Sequence, residues 1–275
     1  MSNNYVSANI VGGLGNQLFQ IAITLEYAKK YNKIPIFKEK NINDIEKPHE
    51  ITAFSTLFNN NLNIYSSNII FDNNYYEQIE CKYNDIPFYD GNICLYGYFQ
   101  SPYYLSDETI DKITNLIYSN SKYYDIAYNI FNLVKYVYDD YDDNNYVFLH
   151  FRRGDLLNYN FYVNIKWYYD ALKLLNGLNK KLIIFSDDID WCKRYIKFNN
   201  TQYYVNSNNN PYVELIFMSL IKNGIVSPGS SFSYWGAFIG NKNKNIVASK
   251  FLHNIYEDVE ANIHKERYPK EWLEL

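Results

Sequence analysis

The stretch YVFLHFRRGD, residues 146–155, opens a regular alternation of strands and helices that decides the fold. Its apolar half, Tyr146–Phe151, has the aromatic and β-branched residues of a buried strand. Downstream, strands are predicted at residues 181–185, 202–205, 224–226 and 245–248, and helices at 166–175, 189–196, 212–222 and 231–239. Repeated βα alternation of this kind predicts a parallel sheet covered by helices.

The first half of the chain begins with a similar pattern. A strand is predicted over residues 5–11, followed by a glycine turn and a helix from Asn16 to about Asn32. Further strands are predicted at 34–37 and 93–100 and helices at 107–119 and 122–138, whereas residues 41–90 give a poor signal. The acidic run DDYDD, residues 139–143, predicts a solvated linker rather than a metal site. We therefore predict domains at residues 1–140 and 145–260, with a tail at 261–275 that packs back on the first domain.

Composition limits the possible function classes. The 275 residues are 47% hydrophobic, which is enough for a sizeable core. A net charge of −4 argues against a general nucleic-acid binder, because no overall basic field is present. No signal peptide or transmembrane segment is visible, and three cysteines without CxxC spacing (Cys81, Cys94 and Cys192) fit a reducing compartment. The expectation is a soluble cytoplasmic protein whose oligomeric state the sequence leaves open.

Two adjacent arginines follow the strand at residue 146. Strand alternation places His150 and Arg152 on one side and Arg153 on the other, unless Gly154 turns the chain. Arginine binds phosphate through two parallel hydrogen bonds and keeps its charge at any working pH. The segment therefore indicates either an anion site or a structural ion pair to Asp155 beside an exposed arginine.

Polar segments follow two further strands at the same predicted edge of the sheet. In SPGSSFSYWG, residues 227–236, Ser230 or Ser231 can cap the next helix. That helix start is either an anion cradle or an ordinary cap with packed aromatic side chains. In FSDDID, residues 185–190, Asp188 and Asp190 form a DxD pattern, which indicates either a divalent metal site or a helix cap.

The N-terminal motif GGLGNQLFQ, residues 12–20, is neither a dinucleotide-binding fingerprint nor a P-loop. The third fingerprint glycine is replaced by Leu18, and the closing GK[ST] of a P-loop is absent. The motif predicts a strand, a tight turn and a helix. Either the turn is only structural, or it brings the backbone close to a ligand, with Asn16 and Gln17 as hydrogen-bonding groups.

Eight motifs occur in one order along the chain: GGLGNQLFQ, LYGYFQS, HFRRGD, WYYDAL, FSDDIDWCK, VELIFMSLIKNGI, SPGSSFSYWGAFI and YPKEW. This ordered set resembles the α-1,2-fucosyltransferases of glycosyltransferase family 11. The resemblance covers nearly the whole sequence, apart from the region between Asn41 and Asp90.

The resemblance implies an α/β fold of the GT-B type, with two Rossmann-like domains facing a cleft. Residues 1–140 would form the acceptor-side domain and residues 145–260 the GDP-sugar-binding domain. It implies GDP-fucose as donor substrate, an oligosaccharide or glycan as acceptor, inversion at the anomeric carbon, and no metal or other cofactor.

The resemblance also assigns roles to single residues. His150 and Asp187 would contact guanine or its ribose, and Arg152 and Arg153 would hold the diphosphate. The remaining donor-site residues would be Asn16, Ser230, Ser231, Phe232 and Ser233.

Fucosyl transfer leaves negative charge on the departing phosphate, which arginines and a helix N-terminus can stabilise. We therefore expect Arg153 to be catalytic, with Asp155 as the base that takes the acceptor proton. Glu26, or no dedicated base, is the alternative to Asp155. The alternative functions are transfer from another GDP-sugar such as GDP-rhamnose, and an inactive nucleotide- or sugar-binding module.

Overall fold

The chain forms two compact units in the computed structural model. The structure describes residues 4–38, 58, 61–65, 69–154, 164–205, 210–240, 244–250 and 266–275. Unit 1 consists of Met1–Asn120 with Ile263–Tyr268, and unit 2 of Ser121–Asn262 with Pro269–Leu275. Each unit contains a parallel sheet with helices, as the sequence predicted.

Unit 1 is built on a four-stranded parallel sheet in the order β2-β1-β6-β5. Its strands are β1 (Tyr5–Ala8), β2 (Ile34–Pro35), β3 (Phe37–Lys38), β4 (Ile64–Tyr65), β5 (Asn73–Tyr76) and β6 (Ile93–Tyr96), and its helices are α1 (Leu14–Tyr31) and α2 (Asp107–Tyr118). The apolar stripe predicted for α1 is buried, and the helix ends at Asn32 in the left-handed conformation that suits asparagine at this position.

Three predicted strands of unit 1 are shorter than expected. The first, predicted over 5–11, ends at Ala8. The segment at residues 34–37 splits, because Ile34–Pro35 pairs with β1 while Phe37–Lys38 pairs with β4 in a separate two-stranded sheet. The strand predicted over 93–100 stops at Tyr96. Beyond it, the N–H groups of Tyr98 and Phe99 donate to Oε2 of Glu77, and Phe99 adopts a left-handed conformation with a φ of 54°.

Unit 2 has a six-stranded parallel sheet in the order β12-β11-β10-β7-β8-β9. Its strands are β7 (Tyr146–Phe151), β8 (Lys181–Ser186), β9 (Gln202–Tyr204), β10 (Asn223–Ile225), β11 (Asn245–Ala248) and β12 (Leu273–Glu274). Its helices are α3 (Ser121–Val137), α4 (Ile165–Leu174), α5 (Ile189–Tyr195), α6 (Pro211–Leu220) and α7 (Ser231–Phe238). Every predicted strand and helix of the alternation is confirmed to within two residues. All six residues of β7 are buried, as expected for a strand with neighbours on both sides and helices on both faces.

Helix α3 belongs to unit 2, so the division falls after Asn120 rather than at the acidic run. Phe131 of α3 packs against Tyr146 and Phe217 with ring centroids 5.4 and 5.8 Å apart. The acidic run lies within unit 2 and has partners there: Asp140 accepts a hydrogen bond from Lys181, and Asp143 pairs with Lys135.

The C-terminal segment divides between the two units. Arg267 donates from Nη1 to Sγ of Cys81 at 3.1 Å in unit 1. In unit 2, Trp272 packs on Tyr234 with ring centroids 5.1 Å apart, and the Leu275 carbonyl accepts from Nε1 of Trp167 at 3.2 Å. Arg267 therefore belongs to unit 1, while residues 269–275 belong to unit 2.

The three cysteines are buried and form no disulfide. Among the described residues, no helix is both long enough and apolar enough to cross a membrane.

Candidate functional site

Three polar segments meet at the carboxyl edge of the unit 2 sheet. Strand β7 lies between β10 and β8, with His150 beside Phe185 and Leu149 beside Ile225. The chain segments after these three strands therefore lie side by side. This edge is where ligands bind in open parallel sheets, and it holds the residues that the sequence singled out.

Arg153 is held from three directions. Its backbone N–H donates to Oδ1 of Asp187 at 2.8 Å, and its Nε donates to Oδ2 of Asp188 at 3.1 Å. Its guanidinium carbon lies 3.8 Å from the ring centroid of Trp191. The ion pair that sequence reasoning considered for the arginines is thus formed with Asp188, while Asp155 lies outside the described residues.

Gly154 allows Asp187 to approach the backbone closely. A Cβ atom at residue 154 would lie only 2.6 Å from Oδ2 of Asp187. The same carboxylate receives the Arg153 N–H. Glycine is therefore required by space at this position, and it leaves the Asp187 carboxylate directly against the end of β7.

A chain of serine hydroxyls connects β7 to the start of α7. The Arg152 N–H donates to Oγ of Ser227 at 3.3 Å, and the Ser227 N–H donates to Oγ of Ser233 at 3.2 Å. Ser230 caps α7, because its Oγ accepts from the Ser233 N–H at 3.3 Å. These serines fix the helix start beside Arg152, which leaves the first-turn amides as the groups that can face an anion.

His150 is a buried neutral imidazole. Burial, and then the charge of Arg152, lower its pKa from 6.5 to about 3. The ring lies 5.8 Å from that of Phe232, and its Nδ1 has no hydrogen-bond partner within the described part of the chain. A buried nitrogen without a partner is costly, so this atom is suited to receive a hydrogen bond from a ligand.

Glu214 is a further candidate that sequence reasoning did not name. It lies in the first turn of α6, and burial, followed by the charge of Asp187, raises its pKa to about 8. Two interacting carboxylates at a ligand-binding edge are typical of functional sites. The available signal was a single acidic residue in the otherwise apolar run VELIFM.

In unit 1, Asn16 lies at the carboxyl edge of the sheet. Its Oδ1 accepts from Nε2 of Gln100 at 2.8 Å. A Cβ at Gly12, whose φ is 79°, would lie 2.7 Å from Nδ2 of Asn16. Gln20 joins the loops after β1 and β6, because it accepts from the Val11 N–H and donates to the Gly97 carbonyl. The sequence identified Asn16 but not Gln20 or Gln100, which fix its surroundings.

The structure resolves the DxD alternative in favour of a helix cap. Asp188 accepts from the Trp191 N–H at 3.1 Å and caps α5, while Asp190 follows it in the exposed first turn. Within the described ranges no three His, Cys, Asp or Glu side chains are grouped as metal ligands.

Glu26, the alternative base, has a structural role. Its Oε2 accepts from the N–H and the Oγ of Ser106 at 2.9 and 2.6 Å. Burial alone would raise the pKa of Glu26, but hydrogen bonds from Ser106 and Thr109 and the charge of Lys29 outweigh burial and hold the pKa below its usual value. A carboxylate stabilised in this way is a weaker base.

Eight of the predicted site residues therefore lie at one edge of unit 2. One of them is Ser231, the first residue of α7. The other seven are His150, Arg152, Arg153, Asp187, Ser230, Phe232 and Ser233. The edge combines guanidinium groups, two carboxylates and a helix N-terminus, which are the groups that bind a nucleoside diphosphate.

Comparison with known proteins identifies relatives along the whole chain. The profile of Glycosyl transferase family 11 matches residues 2–275. The O-antigen biosynthesis glycosyltransferase WbnK of Escherichia coli is 24% identical over 86% of this chain and 91% of its own. A putative galactoside 2-alpha-L-fucosyltransferase of Caenorhabditis elegans, svh-11, is 25% identical over 100% of this chain and 80% of its own.

Solved structures share the fold at low sequence identity. The NodZ alpha-1,6-fucosyltransferase soaked with GDP-fucose superposes with a TM-score of 0.55 at 12% identity, over 87% of this chain and 93% of its own. POFUT1 in complex with GDP gives a TM-score of 0.51 at 12% identity, over 90% of this chain and 98% of its own. This likeness confirms the predicted α/β fold of the GT-B type.

Proposed function

Because the chain belongs to glycosyl transferase family 11, we propose that it moves fucose from GDP-fucose to the 2-hydroxyl of a galactose-type sugar. The observation that carries this proposal is the meeting of Arg153, Asp187 and the α7 N-terminus at adjacent strand ends. A relative named as a putative galactoside 2-alpha-L-fucosyltransferase supports the linkage, and a fucosyltransferase structure soaked with GDP-fucose supports the donor.

In this proposal the diphosphate lies between Arg152, Arg153 and the start of α7. The acceptor oxygen bonds to the anomeric carbon from the face opposite the phosphate. The bond between the anomeric carbon and the β-phosphate oxygen breaks, and its electron pair leaves with GDP. Arg153 is already oriented by Asp188 and Trp191, so its guanidinium needs no rearrangement when this charge develops. The reaction therefore inverts the anomeric carbon, and we propose that it proceeds without a metal ion.

The base-reading part of the site is assigned to His150, Asp187 and Glu214. A neutral His150 can accept or donate a hydrogen bond without adding charge beside Arg152. The carboxylates of Asp187 and Glu214 can accept from the N1–H and amino group of guanine. Since burial keeps the pKa of Glu214 near 8, binding in this manner would release a proton at neutral pH, and GDP affinity would fall at lower pH.

The remaining assignments complete the proposal. Asp155 is the base that takes the acceptor proton, supported by its position next to Gly154 and by the structural role of Glu26. Unit 2 holds the donor, and unit 1, which includes Asn16, serves the acceptor side. We place the protein in the cytoplasm, because three unpaired buried cysteines fit a reducing compartment; fractionation of expressing cells tests this location.

The decisive experiment is incubation with GDP-fucose and a panel of β-galactosides, with the product linkage read by NMR. We expect an α-1,2 linkage and a loss of about 100-fold or more in kcat for Arg153→Ala. Arg194→Ala is the matched control, because Arg194 is an exposed arginine of α5 in the same unit. Wild-type turnover by Arg153→Ala would overturn the proposal.

Two further arms test the donor and the metal independence. Activity should persist in excess EDTA; a loss that manganese restores would contradict the metal-free mechanism. GDP-rhamnose in place of GDP-fucose should give little product. If the protein prefers GDP-rhamnose, the same mechanism operates with that donor instead. Tight GDP binding without transfer to any acceptor would instead indicate an inactive binding module.

A further inference from the structure

Unit 1 contains a pocket of about 340 Å³ between the second half of α1 and two nearby chain segments. The first segment contributes Tyr83, Asp85 and Ile86, and the second contributes residues 103–106. We propose that this pocket is a second carbohydrate-binding site that takes one neutral sugar residue. Its volume falls in the range of small-ligand pockets.

The pocket is separate from the predicted site residue of unit 1. Asn16 lies in the first turn of α1, whereas the pocket uses Ile23, Glu26, Tyr27 and Lys30. At 1.5 Å per residue, these positions lie roughly 10–20 Å further along the helix. A sugar bound here would therefore be several sugar residues away from Asn16, or would belong to another glycan.

Aromatic rings form the walls of the pocket. Tyr83 and Tyr103 line the pocket and expose 39% and 38% of their surface. Their rings are therefore accessible to a ligand. Tyr104 contacts Tyr83 edge to face, with ring centroids 5.1 Å apart. The C–H faces of a pyranose pack on such rings as other apolar surfaces do, and tyrosine adds a polar hydroxyl at the rim.

The inner tyrosines are fixed before any ligand arrives. The Tyr104 hydroxyl donates to the Lys82 carbonyl at 3.0 Å and accepts from the Asn84 N–H at 3.2 Å. The Tyr27 hydroxyl donates to the Pro87 carbonyl at 3.0 Å. Rings immobilised by their own hydrogen bonds lose little entropy on binding, which is the property of a preformed site.

Polar groups at the pocket select a hydroxyl-rich neutral ligand. Glu26 and Asp85 contribute two carboxylates, and Lys30 contributes one ammonium that is paired with Asp85. Glu26 also pairs with Lys29 at 3.5 Å, so the charges around the pocket balance. A site without net positive charge does not attract phosphate or acidic sugars. Carboxylates accept hydrogen bonds from sugar hydroxyls, and the fixed Glu26 carboxylate, pinned by Ser106, offers such an acceptor at a defined position.

The sugar can come from two sources, and only one of them rests on the proposed function. It is either a distal residue of a long acceptor or part of a glycan that the enzyme does not modify. The probes are β-galactosides from a disaccharide to a hexasaccharide, with binding read by saturation-transfer NMR and transfer read as kcat/KM.

Tyr83→Ala and Tyr103→Ala remove the exposed rings, and Tyr136→Ala is the control because Tyr136 is 71% exposed on α3. We expect saturation transfer to the hexasaccharide to fall about threefold to tenfold in the two pocket variants and to stay at the wild-type level in the control. For a distal acceptor residue, kcat/KM falls by a similar factor for the hexasaccharide and not for the disaccharide. For a separate glycan, kcat/KM is unchanged for both.

Asp85→Ala provides a second route that removes no ring, and it should weaken hexasaccharide binding in the same direction. Wild-type saturation transfer and wild-type kcat/KM in all three pocket variants would overturn the proposal. Fucosyl transfer to the disaccharide is measured in every variant. If the pocket binds no sugar, transfer to the disaccharide still tests the proposed function. If the protein transfers no fucose, saturation-transfer NMR still tests sugar binding at the pocket.

Discussion

Arg153 shows how single residues prepare the candidate site. Asp188 has two roles, since one carboxylate oxygen pairs with Nε of Arg153 and the other caps α5. Trp191, whose N–H donates to the capping oxygen, also lies under the guanidinium. The orientation of the arginine is therefore coupled to the start of α5.

Substitution of Asp188 separates the two roles. Asp188→Ala should lower the free energy of unfolding by about 1–2 kcal/mol, because the cap is lost. Asp188→Asn should cost less, since asparagine also caps helices well, but it removes the ion pair. Urea unfolding measures both, and equal destabilisation by the two substitutions would contradict a cap that a neutral side chain can provide.

His150 should make the protein sensitive to acid. The pKa near 3 in the folded state lies below the usual 6.5 of the unfolded chain. Between these two values the unfolded state binds a proton that the folded state does not bind, so the free energy of unfolding falls as the pH drops from about 6.5 toward 3.

The test for His150 compares wild type with His150→Gln between pH 7 and 4. Carboxylates titrate in both proteins, so the informative quantity is the difference between their slopes of unfolding free energy against pH. We expect a shallower slope for His150→Gln. Parallel slopes would show that the imidazole is protonated equally in both states.

At the scale of elements, the start of α7 depends on Ser230. The hydroxyl caps the helix and holds Ser233, whose own hydroxyl holds Ser227. Ser230→Ala should cost about 1 kcal/mol of stability and should also weaken GDP binding, because the first-turn amides lose their fixed position.

The matched control for Ser230 is Asn164→Ala. Asn164 caps α4 by accepting from the Trp167 N–H at 3.2 Å, so its loss should reduce stability by a similar amount. Calorimetric titration with GDP should then distinguish the two variants. A loss of GDP affinity of the same size in both would mean that Ser230 acts only through stability.

The elements that could be predicted are those whose signal is local. Strand β7 is a continuous apolar run, and α7 begins at a serine followed by packed aromatic residues, so both are readable from neighbouring residues. Strand β12 consists of two residues, both exposed, and forms because β11 offers an open edge of the sheet. Glu214 and Gln100 are candidates through their interactions with Asp187 and Asn16, which are distant in sequence. A lone acidic residue in an apolar run marks Glu214 as unusual, but it does not identify that partner.

At the scale of the whole molecule, the C-terminal segment matters to both units. Trp272 is only 8% exposed and packs on Tyr234 and Phe238 of unit 2. Trp272→Ala should cost about 3–5 kcal/mol, as other buried aromatic truncations do. Leu273→Ala is the control, because Leu273 is 46% exposed and surface truncations usually change the stability by less than about 0.5 kcal/mol.

Calorimetry of these two variants measures the effect. A lowered melting temperature is expected for Trp272→Ala alone. If both variants melt at the wild-type temperature, residues 269–275 contribute little to unit 2.

The division of the C-terminal segment also affects how the protein folds during its synthesis on the ribosome. Cys81 and its partner Arg267 are 186 residues apart, and ribosomes add about 5–20 residues per second. Unit 1 therefore waits roughly 10–40 s between the synthesis of Cys81 and the arrival of the arginine that contacts it. During that interval the Cys81 thiol lacks the guanidinium that contacts it in the folded protein, so unit 1 completes its packing only when nearly the whole chain has been synthesised.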